Sequence, residues 1–446
     1  MRKQFSRMIV LAVLSICTQM INAQTEMVDI INYALTHSRD VRKSAWQVQE
    51  AKYIRKEALG HGLPQVEGSG SYSRMMLQKM DLSAFSSMVP SDYSSIFDAL
   101  GNLDHVDMAS ANVQVTQLIY SQAFWVGLKT ARKTQELYTL QKAKNEEDVI
   151  ADVANTYYQI QSMMFQLQTM DKSIQNLKEI YHMSELKYNS DLIKETDVSR
   201  LKVSITNQDV TRQTLQNSID LQINYLKVLS GMPSDSTLKI TPMASADVEK
   251  ETHLNPFVLG QVPSYQVLLK QNELYTLQVK QAKAKYYPSL AAFDKFSYSH
   301  YNIPDIYKTG STMNTIGLSL SVPIFSSGID YAKVKQAEFK QKQLNEDISQ
   351  TKDMLAIQYN NAMLEYQTAH NLLLVQKENR ELAEKVYKQT HLQYEEGLAS
   401  MADLLNVNSD FLQADNSYNQ QALKCKTAEV KMLQASGNLK QLTINK

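Results

Sequence analysis

The sequence contains an internal duplication, and this feature constrains the fold more than any other. Tyr188–Asp197 reads YNSDLIKETD, and Tyr394–Asp403 reads YEEGLASMAD. Each segment is followed at the same distance by a Ser-Gly pair, which ends at Gly231 in the first copy and at Gly437 in the second. Because a repeated sequence builds a repeated structural unit, each half of the chain is expected to contain the same elements in the same order.

The two copies predict how the chain is divided. Residues 24–231 form the first repeat and residues 261–446 form the second. Residues 232–260 lie between them and are rich in Ser, Thr, Pro and Asp, which is typical of a connector.

Residues 1–23 are predicted to be a secretory signal peptide. They combine basic residues at the start with a short apolar run, and they end at Ala23, where a small residue suits cleavage. The mature protein is therefore expected outside the cytoplasm. Leu14–Cys17 partly resembles a lipoprotein cleavage box, although Ile16 is bulky where a small residue is required, so lipidation at Cys17 stays open as an alternative.

Very long helices are predicted in both repeats. Seam residues recur at alternate spacings of four and three from Val149 to Tyr188, and almost the same rule holds from Leu344 to Leu373. A repeat of about 3.5 residues over such a length is typical of a coiled-coil seam. The low content of Gly (13) and Pro (9) in 446 residues also favours long elements. The seam positions are Val149, Val153, Thr156, Ile160, Met163, Leu167, Met170, Ile174, Leu177, Tyr181, Ser184 and Tyr188, then Leu344, Ile348, Thr351, Leu355, Tyr359, Ala362, Tyr366, Ala369 and Leu373.

The predicted helices have matched lengths. Each long helix would extend about 105 Å at about 1.5 Å per residue, and the two shorter helices of each repeat would together reach nearly the same length. These lengths predict long antiparallel helical hairpins that pack side by side and form an α-barrel. The long helices are Ser121–Ser190 and Ser326–Glu396, and the shorter ones are Asp29–Leu63, Leu192–Gly231, Pro263–Tyr287 and Leu398–Gln441.

Each repeat is also predicted to contain two short strands. Ile316, Leu318 and Leu320 alternate with polar or small residues. This pattern suits a strand between lipid and a watery lumen, although an ordinary half-buried strand has the same pattern. Four strands cannot close around a pore and an open edge is excluded in lipid, so three chains would have to form a twelve-stranded barrel. The strand linkers, 75–111 and Ser299–Ser311, are predicted external loops. The predicted fold class is therefore mainly α with a transmembrane β-barrel.

The composition excludes several functional classes. The 46 Lys and Arg residues balance the 46 Asp and Glu residues, so the chain has no basic surplus with which to bind nucleic acid. The eight His residues are scattered and form no HExxH pair, and no phosphate-binding glycine loop or Gly-x-Ser-x-Gly elbow occurs. We therefore expect no metal site, no cofactor and no enzymatic activity.

Two segments carry a resemblance to a known family. YEEGLASMADLLNVNSDFLQADNSY and SVPIFSSGIDYAKVKQAEF resemble the TolC-type outer-membrane efflux family, and the resemblance extends over essentially all of the mature chain. It implies a homotrimer in the outer membrane of a Gram-negative bacterium, with a long periplasmic helical tunnel. It also implies a periplasmic adaptor protein and an inner-membrane pump as partners. The implied function is passive export in a tripartite efflux or type I secretion system.

The resemblance further implies how the pore is gated. The helix–turn–helix tips would form the periplasmic end, and Asp403 stands where a tip carboxylate forms a ring around the axis, with Asp197 as its counterpart. Three converging carboxylates attract cations. Alternatively, Asp403 only caps the returning helix, and the Thr196–Asp197 pair allows the same interpretation. The predicted constriction and gate residues are Asp403, Asn406, Asp197, Thr196, Tyr394 and Tyr188, and the predicted adaptor-docking residues are Leu192, Ile193, Gly397, Leu398, Ala399 and Ser400.

The chain departs from the family pattern at two of these positions. Asn406 stands where the family has a second acidic ring, and Ala399 stands where it has an Arg that holds the closed gate. The closed state is therefore expected to be weaker, or to be held by Lys194. A rival hypothesis is a secreted coiled-coil scaffold or adhesin without a pore. Such a protein would be released from the membrane fraction by salt or urea, with no need for detergent.

Overall fold

The structure is a computed structural model that describes residues 26–78, 104–243, 256–303 and 307–443, with the isolated positions 82, 88, 90 and 248. The predicted signal peptide at 1–23, most of the first predicted external loop and part of the connector lie outside the described residues. The chain divides into two compact units. Each unit contains segments from both repeats, so the repeat boundaries remain a division by sequence. The helical unit contains residues up to Val48, Leu137–Leu269 and Glu346–Lys446, and the sheet unit contains Gln49–Glu136 and Lys270–Asn345.

Long helices and four strands make up the described residues. The order of elements is the same in the two halves from α2 and α5 onward, as the duplication predicts. The helices are α1 Met27–His37, α2 Arg39–Gly60, α3 Gln122–Asn189, α4 Glu195–Ser230, α5 Pro263–Ala284, α6 Ile329–Glu395 and α7 Met401–Ala435, with short 3₁₀ helices at Leu259–Gln261 and Leu439–Thr443; the strands are β1 Gln65–Met76, β2 His105–Ser121, β3 Ser289–Ile303 and β4 Tyr307–Ser321.

The first helix differs from the prediction. Asp29–Leu63 was expected to be one helix, but it is broken at Ser38, whose ψ of 138° is extended. The break coincides with a close approach by Gly231, at the end of α4. A Cβ atom added to Gly231 would lie 2.3 Å from the carbonyl oxygen of His37. The interruption therefore reflects a contact between elements far apart in sequence, which no local signal announces.

The sheet unit contains one antiparallel sheet in the order β1-β2-β3-β4. Val66 pairs with Val115, Val115 with Asp294, and Asp294 with Ile316, so these residues share one face. Large apolar side chains on this face are exposed, including Ile316 (76%) and Leu318. Since β1 and β4 pair on one side only within the described residues, both edges of the sheet are open.

Three predictions about the strands are wrong. The first external loop was placed at 75–111, but β1 continues to Met76 and β2 begins at His105. The strands were expected to be short, but they contain 12 to 17 residues. The second external loop was placed at Ser299–Ser311, whereas β3 continues to Ile303 and pairs it with Tyr307 of β4. The reason is that the polar and small residues after Ser299 still take part in the ladder of backbone hydrogen bonds, which does not require apolar side chains.

No helix among the described residues is both long and apolar enough to cross a membrane.

The predicted seam is confirmed in the helical unit. On α3, the side chains of Val153, Ile160 and Leu177 are fully buried, whereas Tyr188 at the end of the seam is exposed. Two apolar clusters result. The main core includes Ile30, Ile31, Val153, Ile160, Leu226, Leu373, Tyr418, Met432 and Leu439; the tip core contains Leu177, Ile180, Leu201, Tyr387, Tyr394, Met401 and Leu404.

The connector packs against the helical unit where it is described. Ile240 and Met243 are buried in the main core. The side-chain amide of Gln161, on α3, donates a hydrogen bond to the carbonyl of Thr241 at 3.0 Å. These contacts attach the first part of the connector to α3.

Glu147 is a buried carboxylate on α3 whose charge opposes folding at neutral pH. It is only 6% exposed, and burial raises its pKa from 4.5 to about 7, although the nearby Lys440 favours the ionised form. Because the folded state then binds more protons between these two pH values, stability falls as the pH rises through this window. We expect Glu147→Gln to stabilise the protein by about 2–3 kcal/mol at pH 8 and to have little effect at pH 4.

Thermal unfolding at the two pH values measures this effect. Glu146→Gln is a matched control, because it removes a neighbouring carboxylate that is paired with Lys142 at 2.9 Å. The control is not expected to stabilise the protein at either pH. An equal gain in the two variants at pH 8 would contradict the role of burial at Glu147.

Candidate functional site

The predicted tips are two helix–turn–helix connections with the same backbone geometry. Asp191 and Gly397 occupy equivalent positions and have φ values of 58° and 77°. The next residues, Leu192 and Leu398, each donate a backbone hydrogen bond to a carbonyl in the last turn of the preceding long helix, at 3.0 Å and 2.8 Å. This left-handed termination explains why the second tip has Gly at the position. The duplication therefore extends to individual hydrogen bonds.

Several tip residues are available to a partner. Leu192 and Leu398 are 72% and 75% exposed, so each tip presents a large apolar side chain. Gly397 and Ser400 are also exposed, whereas Ile193 is half-buried. Ala399, the sixth of the predicted adaptor-docking residues, is half-buried against the tip core.

Tyr394 lies inside the tip, where it joins the two long helices. Its side chain is buried, and its hydroxyl is 3.0 Å from Oγ of the fully buried Ser184 on α3. The Nζ atom of Lys187 lies 5.4 Å from the centre of the Tyr394 ring. Sequence reasoning placed Ser184 only in the seam and did not identify it as the partner of Tyr394. A link from Tyr394 to Thr196 and Asp197 stays a prediction.

Asp403 forms a capping box at the start of α7. The Ser400 hydroxyl accepts a hydrogen bond from the backbone N–H of Asp403 at 3.2 Å, and the Asp403 carboxylate accepts one from the backbone N–H of Ser400 at 3.0 Å. The hydroxyl of Ser400 also donates to this carboxylate, at 2.6 Å, and this bond lowers the pKa of Asp403. The capping alternative is therefore realised. The Asp403 side chain is exposed as well as capping α7. The capping role is therefore compatible with a ring of carboxylates around the axis.

The remaining predicted gate residues do not form a hydrogen-bonded cluster with Asp403. Asn406 and Tyr188 are exposed, and Asp197 is half-buried in the first turn of α4. Thr196 lies in an open groove between α4 and α7. The Thr196–Asp197 pair makes no side-chain capping hydrogen bond, since the N-cap residue of α4 is Lys194, but Asp197 lies in the first turn of α4, where the helix dipole favours an acidic side chain.

Charged side chains do not converge on a metal-binding geometry in this part of the molecule. Among the residues that the structure describes, no group of three or more His, Cys, Asp and Glu side chains could hold a metal ion. Cys425 is buried in α7, where burial raises the pKa of its thiol to about 11. The thiol is therefore inert at neutral pH.

The comparison with family models decides the identity. The model of the outer membrane efflux protein family matches residues 30–232 and 259–438. The chain belongs to this family. Its members are outer membrane efflux proteins, and the two matched segments leave out residues 1–29, 233–258 and 439–446.

Individual relatives are distant in sequence. The outer membrane protein TolC of Salmonella enteritidis is 22% identical over 245 residues, which cover 52% of this chain and 49% of that protein. The cation efflux system protein CusC of Escherichia coli O6:H1 is 22% identical over 320 residues, 70% of this chain and 64% of that protein. The matched regions thus span about half of TolC and less than two thirds of CusC.

A solved structure of CusC shows that the fold is shared. It superposes with a TM-score of 0.75 at 16% sequence identity, covering 93% of this chain and 92% of that one. This outer membrane efflux protein therefore has the fold of the TolC-like channels, and the predicted fold class is confirmed.

Sequence reasoning missed the seam of α7. Its buried face follows the same alternate spacing of three and four as the seam of α3, but three positions, Asn408, Asp415 and Glu429, are polar and buried. The spacing was the signal that could have identified them. The seam positions are Met401, Leu404, Asn408, Phe411, Asp415, Tyr418, Ala422, Cys425, Glu429 and Met432.

Proposed function

We propose that this efflux protein forms a homotrimeric outer-membrane channel, gated at its helix tips, for passive exit of substrates delivered by a periplasmic adaptor protein and an inner-membrane pump. The observation that supports the proposal most directly is the sheet with two open edges and exposed apolar side chains. Unpaired backbone groups are excluded in lipid, so β1 of one copy would pair with β4 of the next. Three copies would supply twelve strands, enough for an open lumen.

The exposed tip leucines support the adaptor as a partner. Leu192 and Leu398 present apolar surface at two related turns, which is expected where another protein docks. Cation efflux, as the name of the CusC relative states for that protein, and type I secretion are both compatible with an open duct.

The oligomeric state tests the channel directly. Protein purified in mild detergent is expected to be a trimer and to conduct ions in a planar lipid bilayer. A scaffold or adhesin would leave the membrane fraction with salt or urea. A stable monomer, or a trimer that carries no current, would contradict the proposal.

The role of Asp403 gives a sharper prediction about the gate. A ring of three carboxylates would attract divalent cations, so Asp403→Ala is expected to raise single-channel conductance and to weaken Mg²⁺ block by about tenfold. Ser400→Ala is the matched control, since it removes both capping hydrogen bonds of the Ser400 hydroxyl and keeps the carboxylate, which still accepts from the backbone N–H of residue 400. Block should be unchanged in this control. If both variants weakened block equally, Asp403 would act only as a cap.

A further inference from the structure

The helix ends that join the sheet are strongly basic. Strands β1 and β3 begin, and β2 and β4 end, at the same end of the antiparallel sheet, so α2, α3, α5 and α6 all meet the sheet there. The adjoining helix ends and turns contain 14 Lys and Arg against 6 Asp and Glu, whereas the rest of the chain contains 32 against 40. Positive charge is therefore concentrated beside the sheet in a chain that is neutral as a whole. The segments counted are residues 49–60, 122–136, 270–287 and 326–345.

Exposed aromatic and apolar side chains lie between the strands and these basic residues. They occur in the first turn of α3, in the turn before β3 and in the segment between β4 and α6, and each is at least half exposed. Aromatic side chains of this kind concentrate at the two surfaces of a membrane. The order along the chain is thus apolar strand, aromatic belt and basic helix end. The residues of the aromatic belt are Trp125, Tyr286, Tyr287, Ile324 and Phe325.

An open groove between α3 and α5 brings three of the basic residues together. Trp125, Lys129 and Arg132 lie on one face of α3, because they are spaced by four and three residues. Lys129 and Arg132 line the groove from α3, and Lys280 lines it from α5. The volume of the groove, about 490 Å³, lies within the range of about 300–1,000 Å³ that is usual for small-molecule sites. It is large enough for a headgroup.

The two acidic residues that line the groove are already neutralised. Glu136 and Glu273 each form ion pairs with both Lys133 and Lys270, at distances of 2.8 to 3.1 Å between nitrogen and oxygen. This ring of two lysines and two carboxylates has no net charge. It fixes α5 against α3 and leaves the groove with the charge of its other residues.

Three basic side chains of the groove remain to attract an anion. Lys129 and Lys280 form no ion pair within the described ranges of the chain. The Arg132 side chain is 70% exposed, and its Nε atom lies 3.7 Å from Oε1 of Glu136, a carboxylate that two lysines already bind. The groove thus presents uncompensated positive charge to solvent, which favours a negatively charged ligand.

We propose that this groove binds the phosphate headgroup of an anionic phospholipid in the leaflet of the outer membrane that faces the periplasm. The inference rests on the proposed channel, in which the sheet spans the membrane and the helices continue into the periplasm. Lys and Arg side chains just outside a membrane attract anionic headgroups. Trp125 then lies at the level where the acyl chains meet the headgroups, and Lys129 and Arg132 contact the phosphate one and two turns further along α3.

The lipid side suits this groove better than the lumen does. The sheet face opposite Ile316 is polar, as shown by the hydroxyls of Ser71 and Ser110, which lie 2.8 Å apart. Large apolar side chains are exposed on the face of Ile316. An exposed indole such as that of Trp125 fits the surface that continues this apolar face.

Retention of phosphatidylglycerol tests the proposal in solution. The assembled protein is mixed in neutral detergent with equal amounts of phosphatidylglycerol and phosphatidylcholine, and native mass spectrometry is expected to show preferential retention of the anionic lipid. The preference should weaken as the salt concentration is raised, because exposed charges are screened. Glycerol 3-phosphate, which has the phosphate but no acyl chains, should not displace the lipid. Equal retention of the two lipids, or displacement by glycerol 3-phosphate, would overturn the proposal.

A triple variant tests the groove itself. Lys129→Gln, Arg132→Gln and Lys280→Gln together are expected to reduce the preference for phosphatidylglycerol by about fivefold for each residue changed. A matched control removes the same charge from exposed positions of the helical unit and should keep the preference. The control combines Arg42→Gln, Lys172→Gln and Lys202→Gln.

Conservative changes keep the test valid if the triple variant assembles poorly. Lys129→Arg combined with Lys280→Arg retains the positive charge and should retain the preference, and its loss there would contradict the proposal. Equal loss in the triple variant and in the control would show that net charge alone attracts the lipid. Unchanged lipid retention with altered ion selectivity in a planar bilayer would place the groove in the lumen. Either result would also overturn the proposal.

Lipid retention and conduction fail separately. A protein that retains phosphatidylglycerol through these three residues but carries no current would refute the channel and support the lipid site. A conducting trimer without lipid preference would refute the lipid site alone.

Discussion

Gly231→Ala is expected to destabilise the helical unit by about 2–5 kcal/mol. The loss has two causes, which are the left-handed backbone at this position and the overlap of the added Cβ atom with the backbone of His37. Gly231 has a φ of 74°, and its missing Cβ would lie 2.3 Å from the carbonyl oxygen of His37. Backbone atoms cannot rotate away as a side chain can, so the end of α4 or the break after α1 must shift. Thermal unfolding followed by circular dichroism measures the loss.

Gly397→Ala separates the two causes. Gly397 has a φ of 77°, but nothing lies within 4 Å of an added Cβ. This change should therefore cost only the conformational part, about 1–2 kcal/mol. Gly437 lies between the two cases, because its Cβ would be 2.9 Å from the carbonyl oxygen of Gln261. Equal losses at Gly231 and Gly397 would show that the close approach is not what requires glycine.

Ile160→Asp is expected to prevent stable assembly. Ile160 is fully buried in the main core, among apolar residues of α3 and its neighbours. A carboxylate there would be buried among apolar side chains and would cost about 3–5 kcal/mol. The measurement is the amount of folded protein in the membrane fraction, together with its unfolding temperature.

The conservative change at the same position provides the control. Ile160→Val keeps the site apolar and removes one methylene group, so the expected cost is about 1 kcal/mol. An Ile160→Asp protein with an unchanged unfolding temperature would mean that this face of α3 is solvated.

The periodic parts of the fold could be predicted from the sequence. The spacing from Val149 onward placed Val153, Ile160 and Leu177 in one seam, and the structure buries all three. Periodicity works there because the same face of one helix meets its neighbours over many turns. Periodicity does not predict the break between α1 and α2 at Ser38, because this break depends on contact with Gly231, which is distant in sequence.

The candidate site was less predictable for the same reason. The capping box of Ser400 and Asp403 is local, and the capping alternative anticipated it. The partner of Tyr394 is Ser184, on another helix, and Arg380 of α6 pairs with the buried Asp415 of α7. A single sequence gives the residue types but not which distant helices meet.

The main core includes residues from both ends of the chain. Ile30 of α1 and Leu439 of the last 3₁₀ helix belong to one cluster, and both are fully buried. Such a core forms only after both segments have been synthesised, because Leu439 follows Ile30 by about 400 residues. Contacts of this sequence separation form late in folding, so removal of Leu439–Thr443 is expected to loosen the part of the main core that contains Ile30.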